Sequence, residues 1–172
     1  MTRLLPILLL LCSVFLYVSP NEAVSHTSGK FVDGFQGIPW GTSLDHITQV
    51  TLIDTSEQIK TYALTATPPT FEDIPVESVK LISIHNQFAR VFIRYKGDQS
   101  HQSVMELLES HFGKIDRSRG SMIRGLNQEY TWREQTIQIS VTYRGLREQG
   151  FLFLENRNLA PNFLDALTEH SH

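Results

Sequence analysis

Val79-Lys-Leu-Ile-Ser-Ile-His-Asn-Gln-Phe-Ala-Arg-Val-Phe-Ile-Arg-Tyr95 is the stretch on which the fold class turns. Val79, Leu81, Ser83 and His85 alternate with Lys80, Ile82 and Ile84, the period of two that sends successive side chains to opposite faces of a strand. His85-Asn86-Gln87 is a short polar break, and Phe88 to Tyr95 resumes the β-branched and aromatic character. Two such runs joined by a few polar residues predict a β-hairpin.

Working outward, Gly97 and Asp98 end the hairpin, and Gln102 to Phe112 places Val104, Leu107, Leu108 and Phe112 on one helical stripe, with Gly113 as the stop. Lys114 to Gln128 reads as a loop or an irregular ribbon. Glu129–Arg133, Thr136–Tyr143 and Gly150–Glu155 read as three more strands, and Ile137, Ile139, Val141 and Tyr143 alternate cleanly enough to predict one wet sheet face. Upstream, Ile59–Ala66 reads as a strand, and Thr67–Pro75 reads as a loop or sheet edge because it holds Pro68, Pro69 and Pro75. Thr42 or Ser43 is placed to cap a short helix with Leu44, Ile47 and Val50 as its apolar positions. Phe31 to Trp40 reads as extended, with turns at Gly34 and Gly37, and Asn162–Glu169 as a terminal helix. The sum is an α+β domain: an antiparallel sheet of about five or six strands with two or three helices packed on one face.

The chain has 172 residues, 15 Lys plus Arg against 18 Asp plus Glu, and a formal net charge of −3. Such a balance argues against a general nucleic-acid binder, which needs a basic surface to displace counterions. Arg3 precedes the apolar run Leu4–Val18, which is too short to span a bilayer as a helix and matches a signal-peptide core. Ala23 and Ser25 have the small-residue spacing a signal peptidase reads, so residues 1–25 are expected to be a signal peptide, with an uncleaved anchor as the alternative. Residues 26–172 then form a single domain. Cys12 follows Leu9-Leu10-Leu11, which lack the small residue that lipoprotein processing requires. Cleavage before His26 leaves no cysteine, and with it no disulfide or thiolate chemistry.

The remaining chemistry is sparse. His26, His46, His85, His101, His111, His170 and His172 include no His-Glu-x-x-His frame, and they read as surface histidines with no metal site. No Gly-x-Ser-x-Gly elbow and no glycine-rich phosphate loop occurs. No catalytic residue and no cofactor is assigned, and the chain is expected not to be an enzyme. One charge cluster departs from the average: Lys114, Arg117, Arg119 and Arg124 share 11 residues with Asp116 as the sole acid. Guanidinium forks match carboxylates and phosphates, so these four are the candidate binding residues, against the alternative of a solvated loop. Trp40 and Trp132 could line a groove, or serve as core and rim packing.

Phe35-Gln-Gly-Ile-Pro-Trp-Gly-Thr-Ser43, followed by the Val79–Tyr95 hairpin, the Phe112-Gly113 helix end and the Tyr130-Thr-Trp132 strand, resembles an uncharacterised family of small exported bacterial proteins, periplasmic or lipoprotein-like, with a Phe-x-x-Ile-x-Trp-Gly-Thr-Ser opening. The order matches along nearly all of the chain after residue 25. The basic Lys114–Gln128 segment is a departure from that pattern. The resemblance implies export and no established activity, and it carries no catalytic residues with it. The expectation is an exported, non-enzymatic cell-envelope protein, periplasmic or secreted, that binds an envelope protein or an anionic envelope component. Binding would use the open sheet face or the basic loop. Nucleic acid is not expected as a partner, and membrane contact is expected only through an uncleaved N-terminal segment. The alternatives are a small-ligand carrier, with Phe88, Phe92, Phe151 and Phe153 lining a cavity, and an envelope hydrolase.

Overall fold

A computed structural model describes residues 29–115, 121–122 and 127–160. A single helical turn, α1 (Gly29–Val32), leads into the two-residue strands β1 (Gly34–Phe35) and β2 (Ile38–Pro39). Then come β3 (Val50–Ser56), β4 (Ile59–Leu64), the small hairpin β5 (Thr70–Phe71) and β6 (Ile74–Pro75), β7 (Ser78–Ile84) and β8 (Gln87–Lys96). The helix α2 (Asp98–Phe112) follows, and then β9 (Ser121–Met122), β10 (Asn127–Arg133), β11 (Ile137–Arg144) and β12 (Gln149–Asn156). One antiparallel sheet runs in the order β3-β4-β7-β8-β12-β11-β10-β9, with β9 a two-residue end piece. It consists of two meanders, with α2 lying between them in the chain and the last strand of each, β8 and β12, paired side by side.

This architecture corrects the α+β expectation. Strands hold 51% of the described residues, and α2 is the one long helix among them. The predicted helix at Thr42–Val50 shrinks to a 3₁₀ turn, Leu44–His46, whose Ser43 makes no side-chain capping bond. Ile47 is already extended, and Val50 starts β3, an edge strand that pairs along its length with β4. The apolar spacing of Leu44, Ile47 and Val50 fits a helix, but the β-branched Ile47, Thr48, Val50, Thr51 and Ile53 favour the pleated alternative, and a partner strand is available to take it. That adds a seventh long strand to the six expected. The predicted terminal helix at Asn162–Glu169 lies outside the described residues.

The hairpin that anchored the sequence reading is β7–β8, turned at His85 and Asn86, both with positive φ as a two-residue hairpin turn of type I′ requires. A bulge leaves Ala89 unpaired between the Ser83–Phe88 and Ile82–Arg90 partners. On one face of the sheet Tyr62, Leu81, Val91, Ile93, Ile139, Val141, Leu152 and Leu154 are buried under Val104, Met105 and Leu108 of α2 and under the opening segment. Trp40 stacks on Phe88 with centroids 4.6 Å apart and donates its indole N–H to the Phe31 carbonyl at 2.9 Å. The Gly41 amide donates to Phe88 O, and the Phe88 amide to Thr42 O, so this segment is tied to the sheet by backbone as well as by rings.

His101 corrects the expectation of surface histidines. It is buried on α2, stacked on Tyr143 at 4.0 Å, with Nδ1 2.9 Å from Tyr95 Oη and Nε2 3.0 Å from Gln128 Oε1. An amide oxygen only accepts, so Nε2 carries the proton and Nδ1 accepts from the tyrosine. Tyr143 in turn donates to Asp98 at the start of α2. The cluster pins the first turns of the helix to β8, β10 and β11.

Candidate binding site

The opposite face of the sheet is not covered by any described element, and its composition is set by strand alternation. With Val91, Ile93 and Tyr95 of β8 pointing into the core, Arg90, Phe92, Arg94 and Lys96 point outward. Register then adds Lys80 beside Phe92, Phe153 on the other side of Phe92, Phe151 beside Arg94, and Glu155 beside Arg90. Arg144 reaches this face from β11, its guanidinium carbon 5.3 Å from the Phe151 ring centroid. Phe92 stacks with Phe151 at 6.1 Å and tilts against Phe153 at 4.8 Å.

The four central strands β7, β8, β12 and β11 therefore present five cations on this face, Lys80, Arg90, Arg94, Lys96 and Arg144, against the single acid Glu155. In a chain of net −3 this is a marked segregation of charge. Glu155 is fully engaged: it accepts from Arg90 Nε at 3.0 Å and from Gln138 Nε2 at 3.1 Å. Gln138 itself accepts from Arg133 at 2.7 Å, which continues the polar row to β10. Arg94 pairs with Glu77 at 2.7 Å, at a solvent-exposed position.

At one end of the face lies a groove of about 540 Å³, between the β3–β4 turn and strands β7, β8 and β12. Ile59, Ile82, Ile84, Phe92 and Phe153 give it apolar walls, with Lys80, Arg90, Glu57 and His85 as its ionisable groups. Ile59 is 42% exposed and Phe153 is 36% exposed, unusual openness for large apolar groups on the same surface. Its volume falls within the roughly 300–1,000 Å³ of small-ligand sites.

Of the residues singled out from sequence, Lys114 is exposed just beyond Gly113, on the helix side of the sheet, away from this face. Arg117, Arg119 and Arg124 lie outside the described residues. Phe92, Phe151 and Phe153 are brought together on the open face, whereas Phe88 is buried on the other side beneath Trp40. Trp132 is buried, donating its indole N–H to Gly113 O at 3.0 Å, and so belongs to the packing between sheet and helix. Sequence reasoning passed over Arg90, Arg94 and Lys96, although Arg-x-Phe-x-Arg-x-Lys at strand period was a readable signal.

A second polar cluster sits at the β4 end of the sheet. Asp45 accepts from Tyr62 Oη at 2.7 Å and from Lys60 Nζ at 2.9 Å, and Lys60 also donates to Asn86 at 3.3 Å. The Tyr62 hydrogen bond and then Lys60 hold the Asp45 carboxyl below its ordinary value, while burial and the Asp45 carboxylate raise Tyr62 to about 12. These bonds tie the 3₁₀ turn to β4 and to the β7–β8 turn. Among the described residues no group of three or more His, Cys, Asp and Glu is placed to hold a metal ion, and no helix is long and apolar enough to cross a membrane. No protein-family model matches the chain, no curated protein matches it, and no solved structure matches its fold.

Proposed function

We propose that this chain is an exported, non-enzymatic binding module of the cell envelope that takes an anionic envelope component on the open face of its sheet. The observation that carries the reading is the pairing of five cations and one engaged acid with three exposed or half-buried phenylalanines on that face. Guanidinium and ammonium groups supply attraction to carboxylate, phosphate or sulfate. The rings supply contact area that a purely charged surface lacks. Export is supported by the Arg3, Leu4–Val18 and Ala23-x-Ser25 pattern together with the resemblance carried by the Phe35–Ser43 opening. The basic segment with Lys114, Arg117, Arg119 and Arg124 is the second surface of the right sign.

The test is retention on dextran-sulfate resin in a salt gradient, comparing the full chain with Arg94→Glu/Lys96→Glu/Arg144→Glu and with an alanine variant of the four loop cations. These face residues are exposed, so the thermal midpoint should hold within a few degrees. The face variant should elute at much lower salt while the loop variant shifts little. Equal retention of the face variant and the wild type would overturn the reading, and loss confined to the loop variant would move the surface to that segment.

A further inference from the structure

The groove at the edge of the basic face has properties that an anion site alone does not need. Its walls are Ile59, Ile82, Ile84, Phe92 and Phe153, and they stand open to solvent. Lys80 lies within it, half-buried between Phe92 and Ala63 in register, and among the described residues it has no hydrogen-bond or ion-pair partner. Two guanidinium groups of the same face are engaged, Arg90 with Glu155 and Arg94 with Glu77. Of the remaining ionisable groups lining the groove, Glu57 belongs to the β3–β4 turn and His85 to the β7–β8 turn, so the cation lies inside the groove and the acid at its rim.

From this juxtaposition we infer that the groove binds the hydrocarbon chain of a single-chain anionic amphiphile, a fatty-acid-like carboxylate, whose head group pairs with Lys80. The inference rests on the reading of the open face as an anion-binding surface and adds the class of ligand. A half-buried ammonium beside apolar walls is matched by a ligand that brings its own negative charge and buries alkyl surface next to it. The volume of about 540 Å³ is that of a small-ligand site.

The experiment is titration calorimetry of the full chain with dodecanoate, hexanoate and dodecyl maltoside, each below its micelle concentration, alongside dextran-sulfate retention. Burial of extra methylenes should make dodecanoate bind at least about 100-fold more tightly than hexanoate. Thr61→Trp, which puts an indole at the groove wall, should cut dodecanoate affinity more than tenfold and leave dextran-sulfate retention unchanged. If that variant misfolds, Ile84→Asn, which makes the wall polar without adding charge, serves the same purpose. Lys80→Gln should weaken dodecanoate about tenfold and leave the neutral-headed maltoside unaffected.

Equal binding of the two carboxylates, with polyanion retention intact, would overturn the groove inference and leave the basic-face reading standing. Loss of both activities in the wild type would overturn both. Equal losses for dodecanoate and maltoside in Lys80→Gln would overturn the head-group pairing. Tight binding of a single-stranded oligonucleotide, unaffected by Thr61→Trp and without dodecanoate binding, would replace the amphiphile with a polymer on the ring platform.

Discussion

Gly150 is a residue whose identity follows from one contact. It lies opposite Tyr95 in the β12–β8 ladder, and a Cβ at this position would run into the Tyr95 ring. The tyrosine is fully buried and reaches across to His101, so it has no free volume into which to retreat. Gly150→Val is therefore expected to destabilise the domain by about 1–3 kcal/mol through overpacking, read as a fall in the chemical-denaturation midpoint. A midpoint within 0.3 kcal/mol of wild type would mean that Tyr95 can swing aside. No sequence signal announces this glycine, because the clash involves a residue 55 positions away that only strand pairing brings near. His101 carries the same lesson. It stands three residues before Val104 and seven before Leu108, on the apolar stripe of α2, but the Tyr143 ring that covers it comes from β11 in the far meander.

At the scale of elements, the opening segment behaves as a clamp. Trp40 stacks on Phe88, and Gly41 and Thr42 exchange backbone bonds with Phe88, so a strand-like contact holds residues 40–42 against the start of β8. Trp40→Ala should cost about 3 kcal/mol, the lower end for a truncated aromatic because the ring is only partly buried. A loss under 1 kcal/mol would show that the backbone bonds suffice without the ring. β8 also shows how one strand serves two purposes. Val91, Ile93 and Tyr95 build the core, while Arg90, Phe92, Arg94 and Lys96 stand on the opposite, basic face. That division was legible from the period of two alone. Segment 42–56 was not legible in the same way, because Leu44, Ile47 and Val50 satisfy helical spacing while the intervening β-branched residues favour a strand, and pairing with β4 decides between them.

For the whole molecule, pH gives a joint test of the packing on both sides. Burial raises Tyr62, Tyr95 and Tyr143 above their ordinary value of 10.0, Tyr62 to about 12, with Asp45 beside Tyr62 and Asp98 beside Tyr143 adding to the effect. A tyrosine whose folded value is raised stays protonated in the native state after the unfolded chain has lost its proton. The unfolded state then binds fewer protons, and stability is full below pH 10 and falls as pH rises towards 12. Absorbance titration at 295 nm should show these three phenols ionising late, together with loss of near-ultraviolet dichroism; early ionisation of three or more tyrosines in the folded protein would contradict their packing. On the acid side, Asp45 is lowered from 3.8, chiefly by the Tyr62 bond and then by Lys60, so its contribution is present above pH 3.8 and is lost as pH falls through the folded value. Asp45→Asn should flatten the decline of the thermal midpoint between pH 4 and pH 2, and an unchanged slope would remove Asp45 from that limb.

What the sequence determined by itself was everything governed by neighbours in the chain. It set the two runs of the Val79–Tyr95 hairpin and their turn, the helix that stops at Gly113, and four of the five other long strands. Alternation, turn conformation and helix termination act over a few residues and leave a local mark. Only the tertiary structure decided which strands stand side by side. Pairing β8 with β12 sets Phe92 against Phe153 and Arg90 against Glu155, and pairing β7 with β8 sets Lys80 beside Phe92, so the basic face and its groove come from register between residues up to 65 positions apart. Such register is chosen by burying the far side of the sheet under α2, a global requirement that no window of sequence displays.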